Sequence, residues 1–461
     1  MDDAYTREQL EAWDDAHVWH PFTPHSVYRT EEPLLIVAGD GNYLIDVDGN
    51  RYLDGVASIW CNTFGHRRKE IDDAVSEQLG RIAHSTLLGS ASDRSILLAK
   101  RLAELAPPGL GKVFFSDNGS TAVEVALKMA LQYWQQVDRG AGGKKTKCLA
   151  FTGAYHGDTV GAVSLGGIEI FHSRFRPLLF EVVRAPSPQF YRRPPGQTRG
   201  EAEREFIETF DRLVSRHADE LAAVVMEPGM QGAGGMITYP DGFLSHVREV
   251  TRRHDILLVF DEVAMGMGRS GAMFAAEREK VIPDLLCVAK GLTGGYLPLA
   301  ATLTTERVYE AFLGRPEEGK TFFHGHTYTG NALGCAAALA VLDIFQREKV
   351  LERLPAKIEK LSTELERLRE LSGSGDEGVG DIRQYGLAAG VELVADRATR
   401  RPFDDAERVG MRVCRLAREL GVFLRPLGDV IVVMPPLSID EHEIEMLVDA
   451  VEHGIGKALA S

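Results

Sequence analysis

The middle of the 461-residue chain alternates short apolar runs with longer segments of helical periodicity. From about residue 112 the apolar runs are rich in β-branched and aromatic residues, and they read KVFFS, CLAFT, LAAVVMEP, ILLVFDEV, LLCVAK and PLAATLTT. Continuous apolar strands separated by helices are typical of a mostly parallel sheet that helices cover on both faces. The pattern predicts an α/β fold whose large domain is built on such a sheet.

The two ends of the chain show different patterns. Near the start, strand-like runs are separated by two Asp-Gly turn signals, which predict a small antiparallel sheet. After residue 331 two long amphipathic helices are followed by the strand-like runs GLAAGVELV and VIVVMPP. We therefore predict a large domain over residues 70–330 and a smaller α/β domain from both termini, residues 1–69 and 331–461.

Composition narrows the function classes. Hydrophobic residues make up 44% of the chain and charged residues 26%, as in a globular protein. The net charge of −15 argues against nucleic acid or an anionic membrane as a partner. The five cysteines are scattered without a C-x-x-C pair, and neither an apolar signal segment nor a run of about 20 apolar residues is present. We expect a cytoplasmic protein without a metal site or disulfides.

Two glycine-rich motifs resemble nucleotide-binding loops. Residues 314–321, GRPEEGKT, match G-x-x-x-x-G-K-[ST], but a proline and two glutamates in the loop disfavour phosphate binding. Residues 266–271, GMGRSG, match G-x-G-x-x-G, but the nearest carboxylates, Asp261 and Glu262, come before the glycines, and Arg269 stands within the loop. We interpret both as ordinary loops.

A single lysine, Lys290, ends the apolar run LLCVAK and precedes the glycine-rich segment GLTGG. An ammonium group at the end of a buried strand is costly unless it is paired, neutralised or used in chemistry. A desolvated lysine has a lowered pKa, and its neutral amine can form a Schiff base with an aldehyde such as pyridoxal phosphate. The glycines that follow would then leave room for this cofactor.

Pyridoxal phosphate makes three further demands, and each has a candidate upstream. Asp261 ends the run ILLVFD and could pair with the pyridine nitrogen. Gly119 and Ser120 stand where a strand gives way to a helix, the position that suits a phosphate. Tyr155 in GAYHGD could stack on the ring. Each residue alone has an ordinary structural explanation as a cap, a turn acid or a core aromatic, but together they favour the cofactor site.

These motifs, with MEPGMQGAGGM and FFHGHTYTGNALGCAAA, resemble the class III aminotransferases, pyridoxal-phosphate enzymes of fold type I. The resemblance covers about residues 17–450. The segments HVWHPFT, ALKMALQYW and RPLGDVIVVMPP are similar to the branch of that family that aminates 8-amino-7-oxononanoate in biotin biosynthesis. The resemblance implies ping-pong transamination of that acceptor, which gives 7,8-diaminononanoate.

The resemblance also implies roles for individual residues. Lys290, Asp261 and Tyr155 would be catalytic, and Arg269 would support the site from behind. The residues implied to bind pyridoxal phosphate are Gly119, Ser120, Tyr155, His156, Glu227, Asp261, Lys290, His326 and Thr327. Those implied to bind substrate are Phe22, Ile59, Trp60, Tyr155, Lys290, Gly325 and Arg425, the last as a clamp on the acceptor's carboxylate. The family implies a homodimer with shared active sites, in which Thr327 completes the neighbouring subunit's phosphate site.

Three departures from the family pattern concern the amino donor. Members that use S-adenosylmethionine typically read W-H-P-Y-T, S-x-W-W and H-G-P-T, whereas this chain has Phe22, Ile59 and His326 at the variable positions. These residues are similar to the branch that uses lysine, and losing an aromatic wall removes contact area for a large donor. We favour lysine over S-adenosylmethionine, although the changes could be neutral packing exchanges.

Two other functions remain open at this point. A broad-specificity ω-aminotransferase or an aminomutase could use the same scaffold, and would use 8-amino-7-oxononanoate poorly. A non-catalytic regulator that kept the fold is the alternative from another class. The complete set of lysine, aspartate, tyrosine and phosphate-binding residues argues against the regulator.

Overall fold

The computed structural model describes residues 5–30, 33–137 and 144–460. Its N-terminal part is an antiparallel sheet of strands β1 (Ile36–Asp40), β2 (Tyr43–Asp46) and β3 (Arg51–Asp54). This sheet confirms the two predicted Asp-Gly turns. The helical segments of this part are α1 (Arg7–His17), α2 (His25–Tyr28), the single turn α3 (Ala57–Trp60), α4 (Lys69–Leu79) and α5 (Asp93–Leu105).

The centre of the molecule is a seven-stranded sheet with the order β4-β12-β11-β10-β7-β5-β6. Its strands are β4 (Lys112–Ser116), β5 (Lys147–Phe151), β6 (Val182–Ala185), β7 (Leu221–Met226), β10 (Leu257–Asp261), β11 (Leu285–Val288) and β12 (Ala300–Thr304), and a small hairpin between β7 and β10 holds β8 (Met230–Gln231) and β9 (Ile237–Thr238). The predicted mostly parallel sheet is confirmed. Strand β12 runs antiparallel to both neighbours, because residues 289–299 contain no crossover helix to return the chain to the far edge.

Helices cover both faces of this sheet, and they are α6 (Gly119–Val137), α7 (Val160–Leu165), α8 (Glu169–His172), α9 (Arg199–His217), α10 (Phe243–Arg253) and α11 (Glu306–Glu310). Successive side chains of a strand point to opposite faces, and β10 shows the consequence. Val259 packs with the cluster under α6, while Leu258 and Phe260 pack with the aromatic cluster under α9 and α10. A strand buried on both faces is therefore apolar at every position.

The C-terminal part contains the two predicted long helices, α12 (Ala332–Arg347) and α13 (Val350–Glu366), followed by α14 (Val409–Leu416) and α15 (Glu441–Ala460). Its antiparallel sheet has the order β13-β14-β17-β16, from β13 (Gly378–Gln384), β14 (Ala389–Val394), β16 (Pro426–Leu427) and β17 (Val430–Val433). Strand β15 (Val422–Phe423) pairs with β3. The two chain ends are thus joined through one sheet. Within the described ranges, none of the helices combines the length and apolarity needed to span a bilayer.

Candidate active site

A cavity of about 690 Å³ lies beyond the carboxyl ends of the central parallel strands, where open α/β sheets bind ligands. The loops after β4, β5, β7, β10 and β11 each contribute side chains to it. Eight of the residues predicted from sequence line this one cavity, and they are Trp60, Gly119, Ser120, Tyr155, His156, Glu227, Asp261 and Lys290.

Lys290 stands at the cavity wall with φ +47°, a left-handed conformation that is strained for a side chain of this size. The protein around it removes water and lowers the pKa of the amine, while the negative charges of Asp261 and Glu227 oppose that effect. Its Nζ lies 4.6 Å from the centre of the Trp60 ring. The setting favours a larger neutral fraction of the amine than in water, which is the form that attacks an aldehyde.

Asp261 ends β10 and is almost fully buried. Its Oδ1 accepts a hydrogen bond from the Val263 N–H at 3.1 Å, and its Oδ2 lies 2.7 Å from His156 Nδ1. His156 Nε2 is buried without a hydrogen-bond partner among the described residues. With Nε2 unpartnered, the hydrogen-bond network places the imidazole proton on Nδ1, so that His156 donates to Asp261 and orients the carboxylate.

Glu227 follows β7 and holds the loop that carries Tyr155. Its Oε1 accepts from the Tyr155 N–H at 3.0 Å and its Oε2 from the Gly232 N–H at 2.9 Å. Burial raises the pKa of Glu227 to about 7. The Tyr155 hydroxyl donates to Asp158 at 2.7 Å, and its ring lies parallel to that of His172, with 9° between the planes. Tyr155 is therefore held at its backbone, hydroxyl and ring.

The start of α6 presents backbone N–H groups without partners in the helix, as every helix N-terminus does. Gly157 lies beside it at φ +119°, and a Cβ on Gly157 would overlap the Ser120 hydroxyl. A Cβ on Gly119 would meet Val263 Cγ1 at 2.6 Å. Because Gly119 and Gly157 have no side chain, Val263 can pack against Gly119 and the Ser120 hydroxyl against Gly157. An anion cradle, a carboxylate and a desolvated amine in one cavity fit the phosphate, ring nitrogen and aldehyde of pyridoxal phosphate.

One of the glycines after Lys290, Gly295, lines the cavity, and the atoms nearest the Cβ positions of these glycines belong to the protein. A Cβ on Gly295 would meet the backbone of Asn62 at 3.1 Å, and one on Gly291 would meet Met267 at 3.0 Å. These glycines let other parts of the chain pack close behind Lys290.

Six of the residues predicted to bind cofactor or substrate lie outside this cavity. Phe22, Ile59, Gly325, Thr327 and Arg425 are exposed, and His326 is half-buried with its Nδ1 2.9 Å from Asp117 Oδ2. Phe22 packs edge-on against Phe171, with 5.2 Å between ring centres. The Thr327 carbonyl faces His84 Nε2 at 2.8 Å. The roles of these six residues stay predictions.

The structure adds cavity residues that the sequence did not single out. Asp158 fixes the Tyr155 hydroxyl, Val263 lies between Asp261 and the start of α6, and Cys61 follows Trp60 in the wall. Asp158 and Val263 stand within three residues of predicted site residues, so sequence proximity could have suggested them. Cys61 directly follows the predicted residue Trp60, so the same proximity applies to it, but its place in the wall depends on the turn before it.

The two nucleotide-loop matches take other structures. The segment 314–321 is an exposed turn after α11 with a three-residue 3-10 helix, and no strand leads into it. The segment 266–271 is a loop after β10 in which the buried Arg269 donates to the carbonyls of Leu387 and Pro435. Neither segment opens a helix of the kind that phosphate loops need.

Comparisons with known proteins agree with this geometry. The family model described as Aminotransferase class-III matches residues 26–455. The adenosylmethionine-8-amino-7-oxononanoate aminotransferase of Geobacter sulfurreducens is 56% identical over 452 residues, which is 98% of each chain. The crystal structure of the enzyme of that name from Methanocaldococcus jannaschii superposes with a TM-score of 0.92 at 46% identity, covering 98% of this chain and 99% of the other.

A third similar protein is an amine transaminase from an uncultivated Pseudomonas species, solved in its PLP-bound form. It has a TM-score of 0.86 and 37% identity, and the match covers 95% of this chain and 98% of the other. The family match and the site together confirm pyridoxal phosphate as the cofactor.

Proposed function

The chain belongs to the class III aminotransferases, and we propose that it transfers an amino group to 8-amino-7-oxononanoate to give 7,8-diaminononanoate, a step of biotin biosynthesis. The observation that carries the proposal is the convergence of the Lys290 amine, the Asp261 carboxylate and the start of α6 in one cavity. The acceptor is supported by the names of relatives that match the chain over nearly its full length.

Bound pyridoxal phosphate supplies an aldehyde that takes up amines and a ring that withdraws electrons from the reacting carbon. Lys290 holds the cofactor before the donor arrives. With the cofactor bound, the free neutral amine of Lys290 would remove the proton from the amine-bearing carbon of the donor, and in the second half-reaction it would return a proton to the acceptor carbon. The lowered pKa of Lys290 suits this role, since an ammonium group has no lone pair for a proton.

Asp261 keeps a proton on the ring nitrogen through its negative charge. His156 and the Val263 N–H hold its two carboxylate oxygens, and Tyr155 provides a flat surface for the ring. The Gly119 and Ser120 region binds the phosphate at the positive end of α6. These assignments follow from the chemistry of each group and the shared cavity.

We further propose a homodimer in which Thr327 of each chain contributes to the phosphate site of the other. Thr327 is exposed and lies outside its own cavity, as this arrangement requires. Large apolar side chains are also exposed in the neighbouring segments, with Leu88 and Phe323 each 86% accessible. Apolar side chains this exposed on two adjoining segments are characteristic of a surface that another chain covers.

Arg425 is proposed to bind the carboxylate of the acceptor. It lies exposed between β15 and β16, so its guanidinium fork is available to a ligand. The carboxylate of 8-amino-7-oxononanoate is at the far end of the molecule from the reacting ketone, which suits a binding group outside the cofactor cavity.

For the donor we propose lysine over S-adenosylmethionine, on the residues Phe22, Ile59 and His326. The name of the Geobacter relative gives adenosylmethionine as its donor, which favours the other choice by similarity. A half-reaction assay with each donor in turn decides between them, since conversion of the bound cofactor to its amine form is visible by absorbance. Conversion by S-adenosylmethionine alone would contradict the lysine proposal.

The main test of the proposal is Lys290→Ala. We expect loss of the absorbance band of the covalently held cofactor and loss of transamination, because no other amine lines the cavity in the described part of the chain. Wild-type turnover in this variant would overturn the mechanism. The similarity to the amine transaminase supports a broad amine substrate range as the second candidate, which predicts better use of simple amines than of 8-amino-7-oxononanoate.

The cytoplasm is the proposed location. All five cysteines are unpaired, and four of them are buried as thiols, which suits a reducing compartment.

A further inference from the structure

The turn before Trp60 has an unusual backbone. Four consecutive residues other than glycine, Ala57, Ser58, Ile59 and Trp60, have φ between +47° and +68°. Side chains of L-residues disfavour this left-handed region, and single residues adopt it far more often than runs do. A run of four persists only where the surrounding structure holds it.

The group that holds the turn is Asp54, at the end of β3. Its side chain is fully buried. Its Oδ1 accepts a hydrogen bond from the Ser58 N–H at 2.9 Å, and its Oδ2 accepts one from the Ser58 hydroxyl at 2.7 Å. His66 Nε2 lies 3.2 Å from the same Oδ2. Both carboxylate oxygens of Asp54 therefore bind Ser58, the second residue of the left-handed run.

The turn determines which side chain faces the cavity. It sets the Trp60 ring 4.6 Å from Lys290 Nζ and against Gly232, where a Cβ would meet the ring at 3.0 Å. Ile59, one residue earlier, is half exposed and lies outside the cavity. Right-handed φ values here would change the direction of every side chain in the turn and remove the Trp60 wall from Lys290.

We propose that Asp54 is a positioning residue for the reaction: its carboxylate keeps the Ala57–Trp60 turn left-handed and so holds Trp60 as the wall of the site beside Lys290. Asp54 itself does not line the cavity. Its effect on substrate rests on the proposed function, whereas its effect on the turn can be measured without any turnover.

Cys61 reports the state of the turn directly. It follows Trp60, is half-buried and donates from its thiol to the Ser58 carbonyl at 3.1 Å, while the other four cysteines are buried. The experiment measures the rate at which dithiobisnitrobenzoate modifies Cys61 in the holoenzyme, with Cys61→Ser as the background. In Asp54→Asn, where the amide cannot accept both hydrogen bonds from Ser58, we expect about tenfold faster modification.

A second mutation tests the strain itself. Glycine adopts positive φ without penalty, so Ser58→Gly added to Asp54→Asn should recover a large part of the slow modification. The matched control is Asp46→Asn. Asp46 is also buried on a strand of the same sheet and accepts backbone N–H groups at a turn, those of Asp48 and Asn50. The control should leave Cys61 modification unchanged.

Kinetics provide the second measurement. Asp54→Asn should raise KM for the amino donor severalfold, whereas Asp46→Asn should not, since only the first moves Trp60. If Asp54→Asn does not fold, Ser58→Ala replaces it, because this variant removes one of the two hydrogen bonds. We expect Ser58→Ala to speed Cys61 modification and to raise KM for the amino donor as well. Unchanged Cys61 modification in the Asp54 or Ser58 variant, or equal acceleration in the Asp46 control, would overturn the proposal. Because the modification of Cys61 requires no substrate, its rate tests the role of Asp54 even if the aminotransferase proposal fails.

Discussion

Burial shifts the pKa values of single residues in the cavity and next to it. Loss of water raises the pKa of Glu227 to about 7 and that of Glu262 to about 8, and it lowers the pKa of Lys290. The three shifts have one cause, the cost of an unsolvated charge, and they act in opposite directions on acids and bases. The amine and the two glutamates are therefore each shifted toward their neutral forms, while Asp261 is held by hydrogen bonds from two sides.

The raised pKa of Glu227 predicts how stability depends on pH. In the unfolded chain this group ionises near pH 4.5, but in the folded protein only near pH 7, so the free energy of unfolding falls as pH rises between these values and is level above them. The free energy of unfolding falls by about 3.5 kcal/mol in all, at 1.4 kcal/mol per pKa unit. In Glu227→Gln this contribution disappears. Thermal midpoints of both proteins from pH 4 to 8 should therefore converge or cross as pH rises, and parallel curves would contradict the shift.

Gly157→Ala should weaken binding of pyridoxal phosphate at least about tenfold. The new Cβ overlaps the Ser120 hydroxyl and displaces the start of α6, and the residue also has φ +119°. Gly196→Ala is the control, because Gly196 has φ +84° with no atom within 4 Å of its Cβ position. Both variants carry backbone strain, but only the first should raise the Kd measured by cofactor titration. Equal Kd values would show that the close approach is unimportant.

Loops that follow strands form both the site and the connections between sheets. The loop after β10 begins at Asp261 and continues to Arg269, whose guanidinium is buried and donates to the carbonyls of Leu387 and Pro435 next to β14 and β17. The loop that follows Asp261 is thus also tied to the C-terminal sheet. Movement of that sheet would be transmitted to the cofactor site through this loop.

Arg269→Met should destabilise the protein by about 2–4 kcal/mol, because two buried carbonyls lose a charged donor. The measurement is the thermal midpoint with and without cofactor. Arg253→Met is the control, since Arg253 is exposed on α10 and, among the described residues, forms its ion pair with Glu249 one turn away, a contact worth about 0.5 kcal/mol. A loss for Arg269→Met no greater than that of the control would refute the bridging role.

On the scale of the whole molecule, the proposed homodimer would bury two of the most exposed apolar residues, Leu88 and Phe323. Leu88 follows His84 in one exposed segment, and Phe323 precedes Thr327 in another. The two segments are in contact, because His84 Nε2 lies against the Thr327 carbonyl. The contacts that join the two chains would therefore also bring Thr327 of one chain to the phosphate site of the other. Assembly and cofactor binding are coupled in this arrangement.

Leu88→Glu should shift the protein toward monomer and lower its affinity for pyridoxal phosphate, since a charge is costly in an apolar interface. Sedimentation velocity over a range of concentrations gives the first quantity and cofactor titration the second. Leu420→Glu, at a site 45% exposed near β15, is the control and should change neither. A dimer as stable as wild type would place the interface elsewhere.

Local chemistry makes much of the site predictable from residue order and type. Lys290 and Asp261 end apolar runs, and the strand-to-helix change at Gly119 marks a phosphate position. Because the carboxyl ends of parallel strands meet at one edge of a sheet, residues far apart in the chain are expected to meet there. The fold brings these residues into one cavity.

Other features depend on contacts between distant segments. The antiparallel direction of β12, the close packing behind Gly295, and the hold of Asp54 on the turn before Trp60 have no local signal, because each depends on what the rest of the chain places nearby. The sequence by itself determined the fold class and the candidate reacting groups, since these follow from periodicity and residue type. Only the tertiary structure decided which side chains face Lys290, because that choice is made by burial and by hydrogen bonds from residues remote in the chain.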